Sequence, residues 1–230
     1  MTVANKITFS ENTTNILKNF SGINSNILIR AGNTIRTLGP MKNILAEATI
    51  AENFDRQVGI WDLNQFLGTI SLMESPDFDF EDGYVDISGK NGASVRYYYS
   101  APELLTTTNK PITMPETVVQ FDLNQSQLIE VQKASSVLGL SDLCVRSDGS
   151  SMEMVALNKK TPSSNSYSID LGGVHDSDHA YEFYFKVDNL KVLSGNYDVQ
   201  IAETNISQFT HKTLDLKYWI ALEADSTYNP

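Results

Sequence analysis

Two histidines and two aspartates occur within five consecutive residues, His175-Asp176-Ser177-Asp178-His179. Imidazole nitrogens and carboxylate oxygens are common zinc ligands, so this spacing could support a metal centre. However, the segment follows Gly172-Gly173, which indicates an exposed turn rather than a helix on which both histidines would share a face. We therefore predict no metal ion there.

Two further stretches match ligand-binding loops only in part. Asp77 to Gly83 begins like a calcium loop, but its glycine comes one position late and Ser88 stands where a bidentate glutamate belongs. Gly83 to Asn91 superficially matches a phosphate-binding loop, but the glycine spacing is too long and Asn91 replaces the metal-binding hydroxyl. We interpret this second stretch as a β-hairpin.

The sequence offers little for covalent or acid–base catalysis. Cys144 is the only cysteine, so an intrachain disulfide is excluded. It lies between Leu143 and Val145 with nothing adjacent to lower its pKa, and we expect a buried core residue. No G-x-S-x-G elbow occurs, and the carboxylates are scattered over predicted loops. We predict no enzymatic activity, no cofactor and no metal.

Composition describes a folded, acidic protein. Hydrophobic residues make up 41% of the 230 positions and charged residues 20%, which fits one large or two ordinary domains. The net charge of −11 argues against a nucleic-acid binder covered in lysine. No apolar run is long enough to span a bilayer, and the first ten residues lack the apolar core of a signal peptide. We expect neither membrane insertion nor secretion.

A unit of strand, aspartate and short helix occurs once in each half. The first copy is Val58 to Trp61, then Asp62, then Leu63 to Ile70. The second is Tyr181 to Val187, then Asp188, then Asn189 to Leu193. Aspartate is a favoured N-cap because its carboxylate accepts hydrogen bonds from the free backbone donors of the first turn. The duplication predicts two similar α+β domains.

Other helices are predicted for Thr13 to Asn24 and for Asn124 to Leu138, each followed by short β-like runs. Residues 101–115 contain three prolines and four threonines without periodicity, so we interpret them as a connector. We therefore expect a first domain over 1–100, the connector over 101–115 and a second domain over 116–230. Glu74 to Gly83 is predicted to be an acidic loop.

Several short segments, spread from residue 17 to 227, together carry a family resemblance. They are Leu17-Lys18-Asn19-Phe20, Ile23-Asn24-Ser25, Asp62-Leu63-Asn64, Phe66-Leu67-Gly68, Asn109-Lys110-Pro111-Ile112, Gly195-Asn196-Tyr197 and Ala221-Leu222-Glu223-Ala224-Asp225-Ser226-Thr227. In this order and spacing they resemble the DNA sliding clamps of T-even-type bacteriophages, which are processivity factors of the replicative polymerase. The carboxyl-terminal heptapeptide is the most specific signature.

The resemblance implies two similar clamp domains per chain, each with two helices packed on β-sheet, and a closed homotrimeric ring. The helices would line a hole that holds duplex DNA without sequence preference. Implied partners are a clamp-loader ATPase and the carboxyl-terminal peptide of the replicative polymerase. The resemblance also implies that the clamp is a mobile coactivator of late phage transcription, with a sigma-like factor and a coactivator as partners. The implied location is the cytoplasm of the infected bacterial host.

On that basis we predict which residues face DNA. The four predicted helices carry three lysines against one glutamate, with the two capping aspartates set aside, in a strongly acidic chain. The predicted DNA-facing residues are Lys18, Asn19, Gln65, Lys133, Ser136 and Lys191. Further amide and hydroxyl positions on these helices are Asn15, Asn24, Asn64, Gln127, Gln132 and Ser135. A weakly attractive polar lining suits a ring that slides, because base-specific contacts would hold it in place. Without the resemblance, the ordinary interpretation of each lysine is a solvated side chain.

The resemblance also implies an apolar pocket for partner peptides near the connector and the last strand. In this chain it points to Leu38, Ile112, Met114 and Leu222. A few apolar anchors supply most of the affinity of a peptide groove, and methionine adapts to varied partners. The alternative for each residue is ordinary core or loop packing.

Two other classes of protein remain open from the sequence. One is an oligomeric virion structural or assembly protein that never contacts DNA. The other is a β-rich protein that binds carbohydrate or metal through its acidic loops.

Overall fold

The computed structural model describes residues 6–161, 163–172 and 179–229. The chain divides into two units, a first that ends at Lys110 and a second that begins at Pro111. Most of the histidine–aspartate segment at 175–179 lies outside the described residues. Among the described residues, none of the helices combines the length and apolar composition needed to cross a bilayer.

The first unit contains two α-helices, α1 (Glu11–Ile23) and α2 (Leu63–Ser71), within its described part. Its strands are β1 (Ile27–Ile29), β2 (Gly32–Leu38), β3 (Ile44–Phe54), β4 (Val58–Ile60), β5 (Asp77–Phe80), β6 (Tyr84–Ser88) and β7 (Ser94–Tyr98). Antiparallel pairing joins β1 to β4, β2 to β3, and β5, β6 and β7 in that order. Helix α1 packs on β3 and on α2.

Strand β5 replaces the acidic loop predicted there. Phe78 and Phe80 are buried and alternate with half-buried aspartates, so the segment has the period of two that a strand requires. The Phe78 ring stacks on that of Phe9 with centroids 4.2 Å apart. Because Asp77 and Asp79 lie on this strand, the backbone does not take the form of a calcium loop. The hairpin predicted at Gly89 is confirmed, with Gly89 N donating to Ala93 O over 2.9 Å.

A residue of strand β3 strengthens the N-terminal cap of helix α1. Ser10 is the N-cap, and its hydroxyl accepts a hydrogen bond from Thr13 N. The carboxylate of Glu52, on β3, accepts hydrogen bonds from Ser10 N and from the Thr13 hydroxyl. Burial alone would raise the pKa of Glu52, but these hydrogen bonds outweigh it and the pKa is lowered. The helix start is thereby tied to the sheet beneath it.

The second unit contains one α-helix, α3 (Gln125–Leu138), within its described part. Its strands are β8 (Thr117–Leu123), β9 (Asp142–Asp148), β10 (Met152–Leu157), β11 (Tyr167–Asp170), β12 (Ala180–Lys186), β13 (Tyr197–Ala202), β14 (Ile206–His211), β15 (Leu216–Ala221) and β16 (Thr227–Asn229). One antiparallel sheet has the order β11-β10-β9-β12-β16, and β8, β13, β14 and β15 pair antiparallel in the order β15-β14-β13-β8.

The caps of α2 and α3 follow the sequence pattern. The Asp62 carboxylate accepts a hydrogen bond from Gln65 N over 2.9 Å, which confirms the first predicted aspartate cap. Asn124 and Gln127 form a reciprocal capping box at the start of α3. Gly139 ends α3 in the left-handed conformation, with φ of 65°.

The second predicted aspartate cap is wrong. Val187–Asn189 form a single 3-10 turn that contains Asp188, and no α-helix follows. Leu190 and Val192 are buried while Lys191 between them is exposed, an alternation that an extended chain provides and a helix does not. The backbone of Leu193 donates to the Tyr218 hydroxyl and accepts from the Tyr197 hydroxyl, which fixes the segment in this form. The described part of the second unit therefore has one α-helix where two were predicted.

Candidate nucleic-acid and peptide surfaces

Helix α1 presents a polar face away from its core. Ile16, Leu17 and Phe20 are buried, whereas Lys18 is exposed and Asn19 is half-buried. Asn24, counted among the polar lining positions, is instead buried and donates to Leu38 O over 2.8 Å. Lys18 is therefore open to solvent, whereas the place of Asn24 among the lining positions is wrong because its amide closes the end of the helix.

Helix α2 carries no charged residue. Leu63, Phe66 and Ile70 are buried, and Asn64 and Gln65 are exposed. Because α1 packs on α2, Lys18 and Gln65 stand on neighbouring helices of the same unit. Together the two helices give the first unit a nearly neutral polar surface.

Helix α3 exposes both polar and apolar side chains. Lys133 and Ser136 are exposed, but Ser135 is buried and donates to Val131 O, which corrects its place among the lining positions. The exposed fractions of Ile129 and Val137 are 47% and 74%. The sequence-based prediction covered only polar positions and left these apolar residues out. Ile129 and Val137 lie four positions before and after Lys133, a spacing that places all three side chains on one face of the helix.

The one glutamate of α3 is held by a tyrosine. The Tyr167 hydroxyl, on β11, donates a hydrogen bond to the Glu130 carboxylate. This contact raises the pKa of Tyr167, because the nearby carboxylate disfavours the phenolate. Glu130 is therefore directed toward β11.

A hydrogen bond joins α3, which carries Lys133, to the extended segment that carries Lys191. The side chain of Gln132, next to Lys133, donates to Leu190 O over 3.0 Å. Leu190 immediately precedes Lys191, which is exposed. Gln132 thus joins α3 to the extended segment rather than pointing outward, which corrects its place among the lining positions.

The net charge of the α-helices differs from the value predicted from the sequence. Helix α1 begins at Glu11, ahead of the predicted start, and Lys191 falls outside any helix. The three α-helices therefore carry two lysines, Lys18 and Lys133, and two glutamates, Glu11 and Glu130. Only two of the 28 carboxylates of the chain lie on these helices. The helix surfaces are neutral in an acidic protein, rather than basic.

The predicted pocket residues differ in accessibility. Leu38, at the end of β2 in the first unit, is half-buried. Ile112 and Met114, in the second unit, are half-buried and lie outside helix and strand. Leu222 is only 7% exposed, and its N donates to Asn205 O over 2.9 Å. Ile112 and Met114 are thus more accessible than Leu222.

The carboxyl-terminal signature heptapeptide is held by an ion cluster that the sequence did not reveal. Glu223 N donates to Tyr184 O, and Tyr184 N donates to the Ser226 hydroxyl. Lys159 Nζ lies 2.6 Å from the Asp225 carboxylate and 3.6 Å from that of Glu223. The Glu223 backbone and the Ser226 hydroxyl therefore fasten this segment to β12, and its carboxylates hold Lys159, which follows β10.

The two halves of the chain match two family models. Residues 10–114 match the DNA polymerase processivity factor model, and residues 120–224 match the gp45 sliding clamp C-terminal model. The sliding clamp of Vibrio phage KVP40 is 33% identical over 220 residues, covering 94% of this chain and 98% of that protein. The sliding clamp of Enterobacteria phage T4 is 29% identical over 226 residues, covering 96% and 98%.

Solved structures share the fold at low sequence identity. Proliferating cell nuclear antigen (PCNA) from Entamoeba histolytica superposes with a TM-score of 0.70 at 11% identity, covering 96% of this chain and 99% of that one. PCNA from A. fulgidus, bound to the C-terminal region of FEN-1, gives 0.71 at 12%, covering 96% and 99%. The Helicobacter pylori β clamp bound to a DNA ligase peptide gives 0.70 at 12%, covering 95% and 65%. With both halves matched and relatives aligned over nearly their whole length, the chain belongs to the sliding clamps of T4-type phages, the DNA polymerase processivity factors.

Proposed function

We propose that this chain acts without enzymatic activity of its own, as a homotrimeric ring around duplex DNA in the cytoplasm of the infected bacterium. The ring tethers the replicative polymerase through the carboxyl-terminal peptide of that enzyme, and a clamp-loader ATPase opens it. The observation that carries the proposal is the neutral, amide-rich outer face of the α-helices in a chain of net charge −11. An acidic exterior repels DNA everywhere else.

A neutral lining suits a sliding function. Phosphate contacts give attraction that does not depend on sequence, whereas base-edge contacts would fix the ring in one register. The few lysines in the proposed lining, Lys18, Lys133 and Lys191, supply the phosphate contacts. Asn19, Gln65 and Ser136 supply polar surface that water can bridge to the DNA backbone.

The direct test is polymerase stimulation on circular and linear primed templates with the cognate polymerase and loader. We expect longer products on the circle only, because a ring slides off free ends. Alanine at Lys18, Lys133 and Lys191 together should lower processivity at low and moderate salt, and the difference from wild type should shrink as salt rises. A matched control replaces three exposed loop lysines, Lys42, Lys90 and Lys160, with the same loss of charge. Equal processivity of the two triple variants would refute the proposed DNA face.

The proposed oligomer has its own test. Light scattering across a dilution series should show a species of three times the 25.6 kDa chain mass that dissociates on dilution. A species that stays monomeric or dimeric at tens of micromolar would refute the homotrimer.

The proposed peptide pocket includes Leu38, Ile112, Met114 and Leu222. Two clamps of this fold have been solved with a bound partner region or peptide, which supports such a site. Met114→Asp places a charge at a half-buried apolar position and should weaken binding of the polymerase tail peptide at least ten-fold. Equal affinity of the variant and the wild-type clamp would exclude Met114 from the pocket.

A further inference from the structure

Arg30 is the one arginine without a carboxylate partner among the described residues. The other four arginines form ion pairs, Arg36 with Glu47, Arg56 with Asp55 and Asp82, Arg96 with Asp86, and Arg146 with Glu153. In a chain with 28 carboxylates, an unpaired and half-buried guanidinium needs an explanation.

The contacts of Arg30 leave most of its donors unused. Nη1 and Nη2 each lie 3.4 Å from a single acceptor, the Thr107 hydroxyl oxygen. Those distances exceed the usual range for nitrogen-to-oxygen hydrogen bonds. A guanidinium has five donors in a planar fork that matches a carboxylate, so one hydroxyl at long range does not satisfy it.

A second cation makes the absence of an anion costly. Burial and the nearby positive charge of Arg36 both lower the pKa of Arg30. Arg36 is itself committed to Glu47, so that carboxylate does not neutralise both guanidinium groups. A charged side chain that is kept partly buried and without an opposite charge in the free protein is typical of a binding site.

Both arginines lie against the predicted connector. Arg30 reaches Thr107, and Arg36 Nη1 lies 3.5 Å from Asn109 O. The backbone of this part is itself anchored, since Thr106 N donates to the Asn26 side chain over 2.9 Å. Ile112, a proposed pocket residue, follows Asn109 by three positions in the sequence.

We propose that Arg30 receives the α-carboxylate that ends the carboxyl-terminal peptide of a clamp partner. This inference rests on the proposed peptide-binding function. A planar carboxylate accepts two parallel hydrogen bonds from a guanidinium, which fixes the direction of the peptide as well as adding affinity. Arg36 stays paired to Glu47 and supplies a positive field.

The test compares two forms of one peptide, the carboxyl-terminal residues of the cognate polymerase with either a free α-carboxylate or an amidated end. Fluorescence anisotropy should show the wild-type clamp binding the free acid roughly ten-fold more tightly. Arg30→Gln should bind both forms with the weaker affinity, and Arg30→Lys should recover only part of the preference because it lacks the fork. Arg56→Gln, which loses the same charge from an ion-paired arginine, should keep the full preference.

Thermal unfolding separates binding from folding. Arg30→Gln should unfold at the same temperature as the wild-type clamp or higher, because it removes a cation that repels Arg36. If Arg30→Gln keeps the wild-type preference for the free acid, the proposal is wrong while the apolar pocket stands. If Arg30→Gln lowers processivity but not peptide affinity, Arg30 contacts DNA phosphate and the proposal is also wrong. If the wild-type clamp binds neither peptide, the peptide function fails and this inference fails with it.

Discussion

Gly195 lies so close to His211 that a Cβ atom on residue 195 would stand 2.1 Å from Nε2 of the imidazole. His211 is buried, and its Nδ1 accepts hydrogen bonds from the backbone of Thr213 and Leu214 over 3.2 and 3.1 Å. The ring therefore cannot retreat without breaking the turn between β14 and β15.

Gly195→Ala should destabilise the second unit by about 2 kcal/mol or more, because the added methyl group overlaps a ring that has no room to move. The measurement is the midpoint of chemical unfolding. Gly68→Ala is the matched control, since residue 68 lies inside α2 with no atom within 4 Å of its Cβ position. That control should gain roughly 0.5–1 kcal/mol from helix propensity. Equal effects of the two substitutions would contradict the close approach at Gly195.

His211 should make stability depend on pH between about 5 and 7. Burial lowers its pKa from the ordinary value of 6.5, so at mildly acidic pH the unfolded chain binds a proton that the folded protein does not. Stability should therefore fall as pH drops through this range. Asp142 and Glu52, whose pKa values are lowered, lose their contribution only at more acidic pH.

Denaturant unfolding at several pH values tests this assignment. His211→Asn retains an acceptor but does not titrate, so its stability should be lower at neutral pH and nearly constant from pH 7 to 5.5, apart from the carboxylates. A variant with the same pH slope as the wild-type protein would show that another group titrates there.

Lys186→Ala should be strongly destabilising. Asp142 has no exposed surface, and its carboxylate accepts hydrogen bonds from Lys186 Nζ, from the Ser141 hydroxyl and from Lys159 N. Burial alone would raise the pKa of Asp142, but these contacts outweigh it and the pKa is lowered. Removing the ammonium leaves a buried carboxylate without its ion-pair partner, which costs about 3–5 kcal/mol.

Lys212→Ala provides the control for that experiment, since Lys212 pairs with Asp122, whose side chain is 73% exposed. Its loss should cost under about 1 kcal/mol. Asp142→Asn in the Lys186→Ala background should restore part of the lost stability because it removes the uncompensated charge. If it restores none, the cost arises from lost packing of the lysine stem.

Cys144 should resist thiol reagents in the folded protein. It is buried on β9, and burial raises the pKa of its thiol to about 12, so the reactive thiolate is scarce at pH 8. An aromatic disulfide reagent should react at pH 8 only after denaturant is added. Rapid labelling without denaturant would show that β9 opens readily to solvent.

Local patterns predicted the helices that carry the proposed DNA face. The apolar residues of α1 recur at helical spacing, and the aspartate and asparagine that precede α2 and α3 are caps, but the Ser10 cap that begins α1 was not predicted. The same rule wrongly predicted a helix after Asp188. Burial of Leu190 and Val192 at alternate positions requires an extended chain there instead. The alternation is visible in the sequence, but an aspartate after a strand gave a competing signal.

The arginine beside the connector could not have been found from the sequence. Whether Arg30 has a carboxylate partner depends on which acidic residues the fold brings near it, and 77 positions separate it from Thr107. The ion cluster around Lys159 and Asp225 is equally non-local. Sequence patterns identify capped helices because their determinants are a few residues apart, whereas pairing between distant side chains depends on the complete fold.

The pairing of β16 with β12 has a consequence for synthesis on the ribosome. The residues of the first unit, up to Lys110, are all synthesised before those of the second. The sheet of the second unit stays incomplete until Thr227–Asn229 have left the exit tunnel, because β16 pairs with β12 and Tyr228 lies opposite Tyr181. Until then the edge of β12 that β16 covers is unpaired, and unpaired strand edges make incompletely folded chains prone to aggregation.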